Sequence, residues 1–486
     1  MYATLKFDTE DIYYPPEYRI DDIPGWLAEI MTDVGVRGTF CVFGEKARTL
    51  KQRGRTDVLE ALARHDLASH QQGNCRPLIP EILEDAGWAD GVQAMRKYED
   101  QVAADFRDAF GTDPVGLSRH NIYWAPQHVA VGGERGIAYM SGLLGSPGTE
   151  QPTWYAGTLN LPSTTTAGFG GFDQIYTCDA AFERRMSQLD EYLRGCVERG
   201  VEYVSVFGCH PVQVMARGWI EEYCLASGAT RTPEQLGWMY AVKTPEEQAR
   251  AKANFRRLVA YLKQHPDLEM VGLAEAARLF SSQPAQITRD ELTAYADDVE
   301  RDDRPALHVT FSPAELLCGL AESIVHAGAH GDLPDQVARR DVLGPVSLPV
   351  VGREADIVTH DELVSLCRQT AEAVAADGHL PANVHTADAR VGTGQLAVLA
   401  ARAYRALSRY EKYEKLRVSK TSRYPDAADE IDAQVRHNVI EHWPYRPGIS
   451  SENLAEHARL QTWTLKPAWL RPPRGGPCSK ARIDLS

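Results

Sequence analysis

Long apolar segments are missing from this sequence. Across its 486 residues, no window approaches the roughly 18 uninterrupted apolar residues that mark a candidate membrane-spanning helix. The chain starts Met-Tyr-Ala-Thr-Leu-Lys-Phe-Asp, which has neither the basic segment nor the apolar core of a secretory signal. We therefore expect a cytoplasmic protein with no membrane partner.

Paired cysteines and positive charge are also scarce. The nine cysteines include no close Cys-x-x-Cys pair, which fits reduced thiols better than a disulfide framework or a thiolate metal site. Asp and Glu number 67 against 52 Lys and Arg, which gives a net charge of -15. Because nucleic acid and anionic membranes attract basic surfaces, we expect neither as a partner, and small or neutral substrates remain open.

The order of apolar segments predicts an α/β fold in the first part of the chain. The full length exceeds one ordinary hydrophobic core, so two or three domains are expected. From Thr4 to about Phe280, short apolar strands alternate with longer amphipathic segments, as in βα units around a parallel sheet or barrel. The stretch 140–180 is rich in Gly, Ser, Thr and Tyr and is expected to form long loops over a pocket. A polar break at Ser281-Ser282-Gln283-Pro284 ends a first domain over 1–283.

A repeated pattern predicts a mainly α-helical second domain. Two pairs of segments match at the same offset of 47 residues: Ser312-Pro313-Ala314-Glu315-Leu316 with Thr359-His360-Asp361-Glu362-Leu363, and Gly331-Asp332-Leu333-Pro334 with Gly378-His379-Leu380-Pro381. Each unit starts with a Ser or Thr that can cap a helix, and it breaks at Gly before the Leu-Pro. We expect this helical domain over 284–410, followed by a helical extension and loose tail over 411–486.

Three carboxylates follow the first predicted strand, Ala3–Phe7, within four residues. They are Asp8, Glu10 and Asp11. An α/β sheet carries its catalytic groups at the C-terminal ends of its strands. If the extended geometry continues, Asp8 and Glu10 project to the same side, and Asp11 points away unless the backbone turns. The alternative interpretation is an acidic loop start or a helix N-cap.

A histidine segment, Ser69-His70-Gln71-Gln72-Gly73-Asn74, follows another short predicted strand. On a helical turn, His70 and Asn74 would converge at the i, i+4 spacing with which histidine pairs hold a divalent metal. Taken alone, the segment favours a hydrogen-bonded loop histidine. Its order after the carboxylates and a Gly-x-x-x-Thr-Phe strand strengthens the interpretation as a metal site.

Five segments together resemble one family. They are Asp8-Thr9-Glu10-Asp11, Gly35 to Ala47, His65 to His70, Ser118 to Pro126, and Val204 to Pro211. Their order over roughly residues 1–280 resembles the polysaccharide deacetylases, the NodB-homology or family 4 carbohydrate esterase group. The resemblance implies a distorted (β/α)7-type barrel. It also implies hydrolysis of a C–N amide bond, in the first place removal of N-acetyl groups from amino sugars.

The resemblance also implies catalytic roles by position. It makes Asp8 the general base, Arg119 the partner that orients it, and His210 the general acid. A carboxylate beside a metal can remove a proton from the attacking water, and an imidazolium can protonate the departing amine. An acetylated sugar or glycan is the implied substrate.

The metal implied by the resemblance is a divalent ion, zinc in the first place. Its ligands would be Glu10, or with less support Asp11, together with His70 and Asn74. Asn74 stands where the family usually has a second histidine, and an amide is a weaker ligand than imidazole, so a harder ion is a further possibility. His120 could supply the missing imidazole if its loop folds inward.

Aromatic residues near these segments are candidate sugar platforms. They are Tyr123, Trp124 and Trp154, whose rings could equally serve in packing. Two alternatives to a sugar deacetylase stay open. One is an amidohydrolase acting on a non-sugar amide, and the other is a non-catalytic glycan-binding protein with a degenerate metal site.

Overall fold

The structure is a computed structural model. It describes residues 1–73, 76–120, 124–142, 151–163, 170–232, 235, 240–351, 357–411, 413–440 and 444–473.

Sixteen strands are assigned within these residues. They are β1 (Tyr2–Thr9), β2 (Thr39–Val42), β3 (Asp66–Ser69), β4 (Leu117–Ser118), β5 (Met140–Ser141), β6 (Thr153–Tyr155), β7 (Thr158–Leu161), β8 (Tyr203–Cys209), β9 (Glu269–Met270), β10 (Gln286–Thr288), β11 (Gln336–Ala338), β12 (Ile357–Thr359), β13 (Asn383–His385), β14 (Arg390–Gly392), β15 (Lys415–Arg417) and β16 (Lys466–Pro467).

Seventeen α-helices accompany them in the same residues. They are α1 (Asp22–Val34), α2 (Gly44–Gln52), α3 (Thr56–Leu62), α4 (Ile79–Leu83), α5 (Trp88–Phe110), α6 (Pro126–Glu134), α7 (Asp179–Glu198), α8 (Pro211–Met215), α9 (Ile220–Leu225), α10 (Pro245–Gln264), α11 (Leu273–Phe280), α12 (Arg289–Asp302), α13 (Pro313–His330), α14 (His360–Asp377), α15 (Thr393–Ser408), α16 (Ala428–Ile440) and α17 (Glu452–Gln461). Short 3₁₀ helices lie at Pro16–Tyr18, Ala226–Gly228 and Thr462–Thr464.

One mixed sheet organises the first part of the molecule. Its strand order is β16-β6-β7-β5-β4-β3-β2-β1-β8, and β9 also pairs with β1. All pairs are parallel except β16 with β6 and β6 with β7. The sheet curls into a half-barrel. The C-terminal ends of β1, β3, β4 and β8 therefore meet at one edge.

The predicted fold class, a distorted α/β barrel followed by a mainly helical C-terminal part, is confirmed. The strands β1 to β3 are buried on both faces, as expected for parallel strands covered by helices. The stretch 140–180 differs from the expectation of long loops, because it contains β5, β6 and β7. These strands have only two to four residues, too few for a clear period-two pattern.

The helical part contains the two segments that match at an offset of 47 residues. Ser312 and Thr359 each cap a helix, and each accepts a hydrogen bond from the backbone of a Glu three residues on. Both helices end at a glycine with positive φ, Gly331 at 89° and Gly378 at 70°, a conformation that favours glycine. The helices α13 and α14 pack on each other, as do α12 and α15. The predicted domain limits at 283 and 410 stay predictions.

The C-terminal segment returns to the first part of the chain. Strand β16 pairs with β6 at the edge of the large sheet, and α17 packs against α4 and α6. One hydrophobic cluster combines residues of both regions, such as Leu83, Trp124, Leu454 and Leu465. None of the described helices combines the length and apolar character needed to cross a bilayer.

Candidate metal centre and active site

The candidate site lies where parallel strands of the large sheet end. Glu10 follows β1, His70 follows β3, and His120 follows β4 after one residue. Glu221 comes from α9, which is far from these residues in sequence. Parallel pairing of adjacent strands brings the first three side chains to one edge of the sheet, and α9 adds the fourth.

The buried side chains of Glu10, His120 and Glu221 come together at one point, and His70 contacts Glu10 beside them. The Nε2 atoms of His70 and His120 lie 3.3 and 3.4 Å from Oε2 of Glu10. Nε2 of His120 also lies 3.0 Å from Oε1 of Glu221. One ligand atom each from Glu10, His120 and Glu221 falls within a 4.8 Å group that could hold a metal ion. Imidazole and carboxylate together are the donors of catalytic zinc sites.

The hydrogen bonding of this cluster fits a bound cation. Among the described residues, neither carboxylate oxygen of Glu10 and neither ring nitrogen of His70 has a hydrogen-bond partner, although all four atoms are buried. Buried polar atoms are normally hydrogen-bonded, since leaving one unpaired costs about 1–3 kcal/mol. A divalent ion coordinated by these atoms would remove that cost. The donor set therefore fits the metal that the sequence predicted.

The site's charge state supports the same conclusion. Burial, with the nearby Glu221 and Asp8 carboxylates, raises the pKa of Glu10 well above its ordinary value. Burial also lowers the pKa of His70 well below its ordinary value, partly opposed by Asp8. Neutral imidazole is the form that binds metals, and a cation would stabilise the carboxylates in their ionised form.

Aromatic rings fix the orientation of the candidate ligands. Phe43, fully buried, stacks on His70 at 5.2 Å between ring centroids and contacts His120 edge-on at 4.7 Å. Trp219 donates a hydrogen bond from Nε1 to Oε2 of Glu221 at 3.0 Å, and its ring lies 4.7 Å from His210. These contacts exclude water from one side of the site.

Asp8 lies beside this cluster in an ionised state. Burial raises its pKa, but Lys6, His70 and His210 more than compensate and lower it to about 2. The ammonium of Lys6 lies 3.2 Å from Oδ1 of Asp8 and donates a hydrogen bond to Ser118 Oγ at 3.0 Å. Asp8 is therefore a carboxylate that can accept a proton near the metal ligands.

Arg119, predicted to orient Asp8, is half-buried beside it. Burial lowers the pKa of its guanidinium to about 10, and the Asp8 charge opposes that effect. Within the described part of the chain, the basic side chain in ion-pair contact with Asp8 is Lys6. The orienting role of Arg119 stays a prediction, and Lys6 shares it by geometry.

His210 follows β8 and lies next to the cluster. Its Nε2 is 3.7 Å from Oε1 of Glu10, and its Nδ1 is 2.9 Å from Oδ2 of Asp173. Burial lowers the pKa of His210, but the Asp173 carboxylate and its hydrogen bond outweigh this and raise it. The raised pKa favours the protonated imidazolium, the form that a general acid needs.

A β-bulge sets the direction of His210. The register of β1 against β8 shifts between Lys6 and Phe7, so that Gly208 is the extra residue. A Cβ on Gly208 would lie 2.3 Å from Cε1 of Phe7, which only glycine avoids. Bulges re-aim the side chains that follow them, and here the next side chains are those of Cys209 and His210.

Asp11 is buried but faces a different group of charges. Burial raises its pKa to about 6, opposed by Lys46. Lys46 itself lies 2.5 Å from Asp21. Glu10 is in ion-pair distance of both His70 and His120, whereas the charges that act on Asp11 are those of Lys46, Asp21 and Glu221. Asn74 lies outside the described residues.

The predicted aromatic platform is not assembled at this site. Trp124 is buried in a hydrophobic cluster, 6.0 Å from the ring of Tyr155. Trp154 lies in β6 opposite Leu159, near the start of β7, whereas the metal cluster follows strand C-termini. Tyr123 lies outside the described residues.

Three residues of the site were missed in the sequence. Glu221 and Asp173 carry no motif, and Lys6 lies two residues before Asp8 within an otherwise apolar strand. A buried lysine in a parallel strand could have been noticed, since lysine is rarely buried without a partner. For Glu221 and Asp173, the signal is only their tertiary position.

Comparisons with known proteins give similar structures but no family. No protein-family model matches the chain, and no curated protein matches it. Similar solved structures include PuuE allantoinase, with 13% identity, a TM-score of 0.36 and coverage of 57% of this chain and 88% of that one. A Pseudomonas aeruginosa PAO1 protein described as a probable polysaccharide deacetylase has 13% identity, a TM-score of 0.36 and coverage of 57% and 89%.

A third similar structure is a family 4 acetyl xylan esterase from Clostridium thermocellum, in complex with a cobalt ion. It has 13% identity and a TM-score of 0.30, and the match covers 58% of this chain and 92% of that one. These TM-scores are low, and the similarity to these structures carries no conclusion about function.

Proposed function

We propose that the protein is a metal-dependent hydrolase of a C–N amide bond, in the first place an N-deacetylase of an amino sugar or acetylated glycan. The observation that carries the proposal is the buried cluster of Glu10, His70, His120 and Glu221 beside an ionised Asp8 and a His210 held by Asp173. It combines a metal site, a base and an acid, which amide hydrolysis requires.

The cluster would hold zinc or another divalent ion through Glu10, His70 and His120, with Glu221 as a further carboxylate ligand. Such an ion, when bound, supplies Lewis acidity at the amide carbonyl and lowers the pKa of water. His120 takes the place of the second imidazole in this proposal. The weaker Asn74 ligand is then not needed.

Two side chains next to the cluster have separate roles in proton transfer. Asp8, ionised because of Lys6 and the neighbouring imidazoles, accepts a proton from the attacking water. His210, held by Asp173 at 2.9 Å, donates a proton to the departing amine nitrogen. Two groups with opposite pKa shifts at one site are the pattern expected of a base and an acid.

A glycan-binding protein without activity is the second candidate. A binding module needs neither a base nor an acid, and this site has a carboxylate with a lowered pKa and an imidazole with a raised one. The geometry therefore favours the hydrolase. The same groups would also serve hydrolysis of a non-sugar amide.

The test measures acetate release from a panel of N- and O-acetylated sugars, with the protein loaded in turn with zinc, cobalt and manganese. We expect one substrate to be turned over, and Asp8→Asn to lower kcat by about 10²–10⁴, the usual contribution of a general base. Asp66→Asn, which changes a buried carboxylate held by Arg37 at the N-terminal end of β3, is the matched control.

The outcome that would contradict the proposal is equal acetate release by the wild type and Asp8→Asn on every substrate. Saturable binding of an acetylated glycan without turnover would support the binding protein. Amine or ammonia release from a non-sugar amide added to the panel, with no acetate released from the sugars, would identify an amidohydrolase of non-sugar amides.

A further inference from the structure

A second cavity of about 410 Å³ lies between the large sheet and the helical part. Ala156 and Gly157, which line it, directly precede the first residue of β7. Since β7 runs parallel to β5 and its neighbours, the cavity lies at the N-terminal ends of the strands. The metal cluster lies at the C-terminal ends, so the two sites are separate.

Residues from distant segments build the walls of this cavity. Six that carry the argument are Glu134, Trp154, Ser312, Glu315, Asp341 and Lys466. They come from α6, β6, the start of α13, a loop before α14, and β16. A cavity assembled from both regions exists only in the folded chain, which is typical of ligand sites at domain interfaces.

Strand pairing and hydrogen bonds hold the residues at the floor of the cavity, Lys466 and Trp154. Lys466 and Trp154 are register partners in the pair β16–β6, so their side chains lie on the same face. The ammonium of Lys466 donates hydrogen bonds to both carboxylate oxygens of Glu315, at 2.6 and 2.8 Å, and to Oε1 of Gln283 at 2.5 Å. The position of the indole therefore does not depend on a ligand.

The charges around the cavity are already balanced. Arg339 donates to Oε1 of Glu315 and to Oδ1 of Asp341, each at 2.7 Å. Glu134 accepts two hydrogen bonds from Arg96, at 2.8 and 2.9 Å. No large excess of either sign remains, so the cavity suits a neutral ligand better than an ion.

The lining combines one apolar wall with hydrogen-bonding groups. Trp154 and Leu343 present aromatic and aliphatic surface, while Asp341 presents a mostly exposed carboxylate. A sugar ring has the matching character, with an apolar C–H face and a rim of hydroxyl groups. The volume lies in the range of small-molecule sites.

We propose that this cavity is a second binding site, separate from the metal centre, which takes a neutral saccharide of one or two rings stacked on Trp154. The site binds sugar without hydrolysing it, because each charged residue of the cavity lining, Glu134, Glu315, Asp341 and Lys466, is held in an ion pair. This binding site is additional to the proposed hydrolase centre, and its existence does not depend on hydrolase activity.

The experiment measures calorimetric binding of two neutral disaccharides, cellobiose and N,N′-diacetylchitobiose. The starting protein is the full chain carrying His120→Ala, which weakens the metal centre and prevents turnover. We expect saturable binding of at least one disaccharide, at millimolar affinity or better. Adding Trp154→Ala should weaken that binding by about tenfold or more, whereas Trp154→Phe should retain most of it.

A second variant protects the test against misfolding. Asp341 is 88% exposed, so Asp341→Ala should fold normally, and it should weaken binding about tenfold through the lost hydrogen bond to a hydroxyl. Binding that is unchanged in both Trp154→Ala and Asp341→Ala would overturn the proposal. So would the absence of binding of both disaccharides, or binding of only choline or inorganic phosphate as charged probes.

The outcomes separate this inference from the proposed function. Loss of acetate release on every substrate, with disaccharide binding that depends on Trp154, would remove the hydrolase and leave the cavity site standing. Turnover that depends on Asp8, without disaccharide binding that depends on Trp154, would support the hydrolase and remove the cavity site.

Discussion

Two clusters of buried charge in this molecule differ in how completely their polar atoms are paired. In the first, at the strand C-termini, Glu10 and His70 have four buried polar atoms without a hydrogen-bond partner among the described residues. In the second, Lys466 uses all three of its ammonium donors on Glu315 and Gln283, and Arg339 adds another donor to Glu315.

The difference distinguishes a site that awaits a ligand from one that holds the structure together. An incompletely paired buried cluster destabilises the fold unless something binds to it. A completely paired cluster joins distant segments, here residues 151 positions apart in the sequence. Both clusters contain buried charge, so burial does not distinguish them. The state of their hydrogen bonds does.

The largest effect on stability is expected from the paired cluster. Lys466→Met should lower the free energy of unfolding by about 3–5 kcal/mol, because it leaves the Glu315 carboxylate, whose side chain is 5% exposed, without its main partner. Urea unfolding followed by circular dichroism measures the change. Lys51→Met is the matched control, since the Lys51–Asp108 pair is exposed and should contribute at most about 1 kcal/mol. Equal losses in both variants would refute the structural role of this cluster.

The metal affinity should depend on the cluster around Glu10. His120→Ala should weaken zinc binding by more than the roughly 10–100-fold loss that follows removal of an outer-shell partner, because His120 would be a direct ligand. Equilibrium dialysis with a zinc indicator measures the affinity. His128→Ala is the control, since His128 is equally buried but bonds to Glu99, 2.7 Å away. If the two variants bind zinc alike, His120 is not a ligand.

A smaller change in stability, opposite in sign to that of Lys466→Met, is expected when the charge of Glu10 is removed. Burial and the nearby Glu221 and Asp8 carboxylates raise the pKa of Glu10 in the folded state. The folded state thus binds this proton more tightly than the unfolded chain, and stability falls as the pH rises above the ordinary value of 4.5.

At neutral pH and with a chelator present, Glu10→Gln should therefore raise the free energy of unfolding by about 0.5–2 kcal/mol. The matched variant Glu315→Gln should lower it, because Glu315 is paired with Lys466 and Arg339. Urea titrations of both proteins at two pH values measure the difference. A loss of stability in Glu10→Gln would show that the ionised carboxylate is already satisfied without metal.

Much of the first region follows from local patterns. The apolar run Ala3–Phe7 predicts β1. The structure extends this strand by one residue before Ala3 and by two residues after Phe7. Helix α10 starts at Pro245, where Thr244 and Glu247 form a capping box, a signal that lies within four residues of sequence. Strands β5 to β7 could not be predicted, because they are short and are stabilised by pairing with distant partners.

The sequence predicted only those site residues that lie next to recognisable apolar strands. Asp8, Glu10, His70 and His210 follow strands whose apolar character is visible in the sequence, and the structure brings them together. The sequence left open whether Glu10 or Asp11 faces the imidazoles. The structure places Glu10 in ion-pair distance of His70, whereas Lys46 is the positive charge that acts on Asp11.

The sequence by itself determined the α/β class of the first region and the carboxylate and imidazole groups at its strand ends, because strand periodicity and strand termini are local properties. Only the tertiary structure decided that His120 and Glu221 join Glu10, that Asp173 holds His210, and that Trp154 belongs to a different cavity. Those choices depend on contacts between residues 37 to 312 positions apart, and no local pattern encodes which distant side chain will fill a given space.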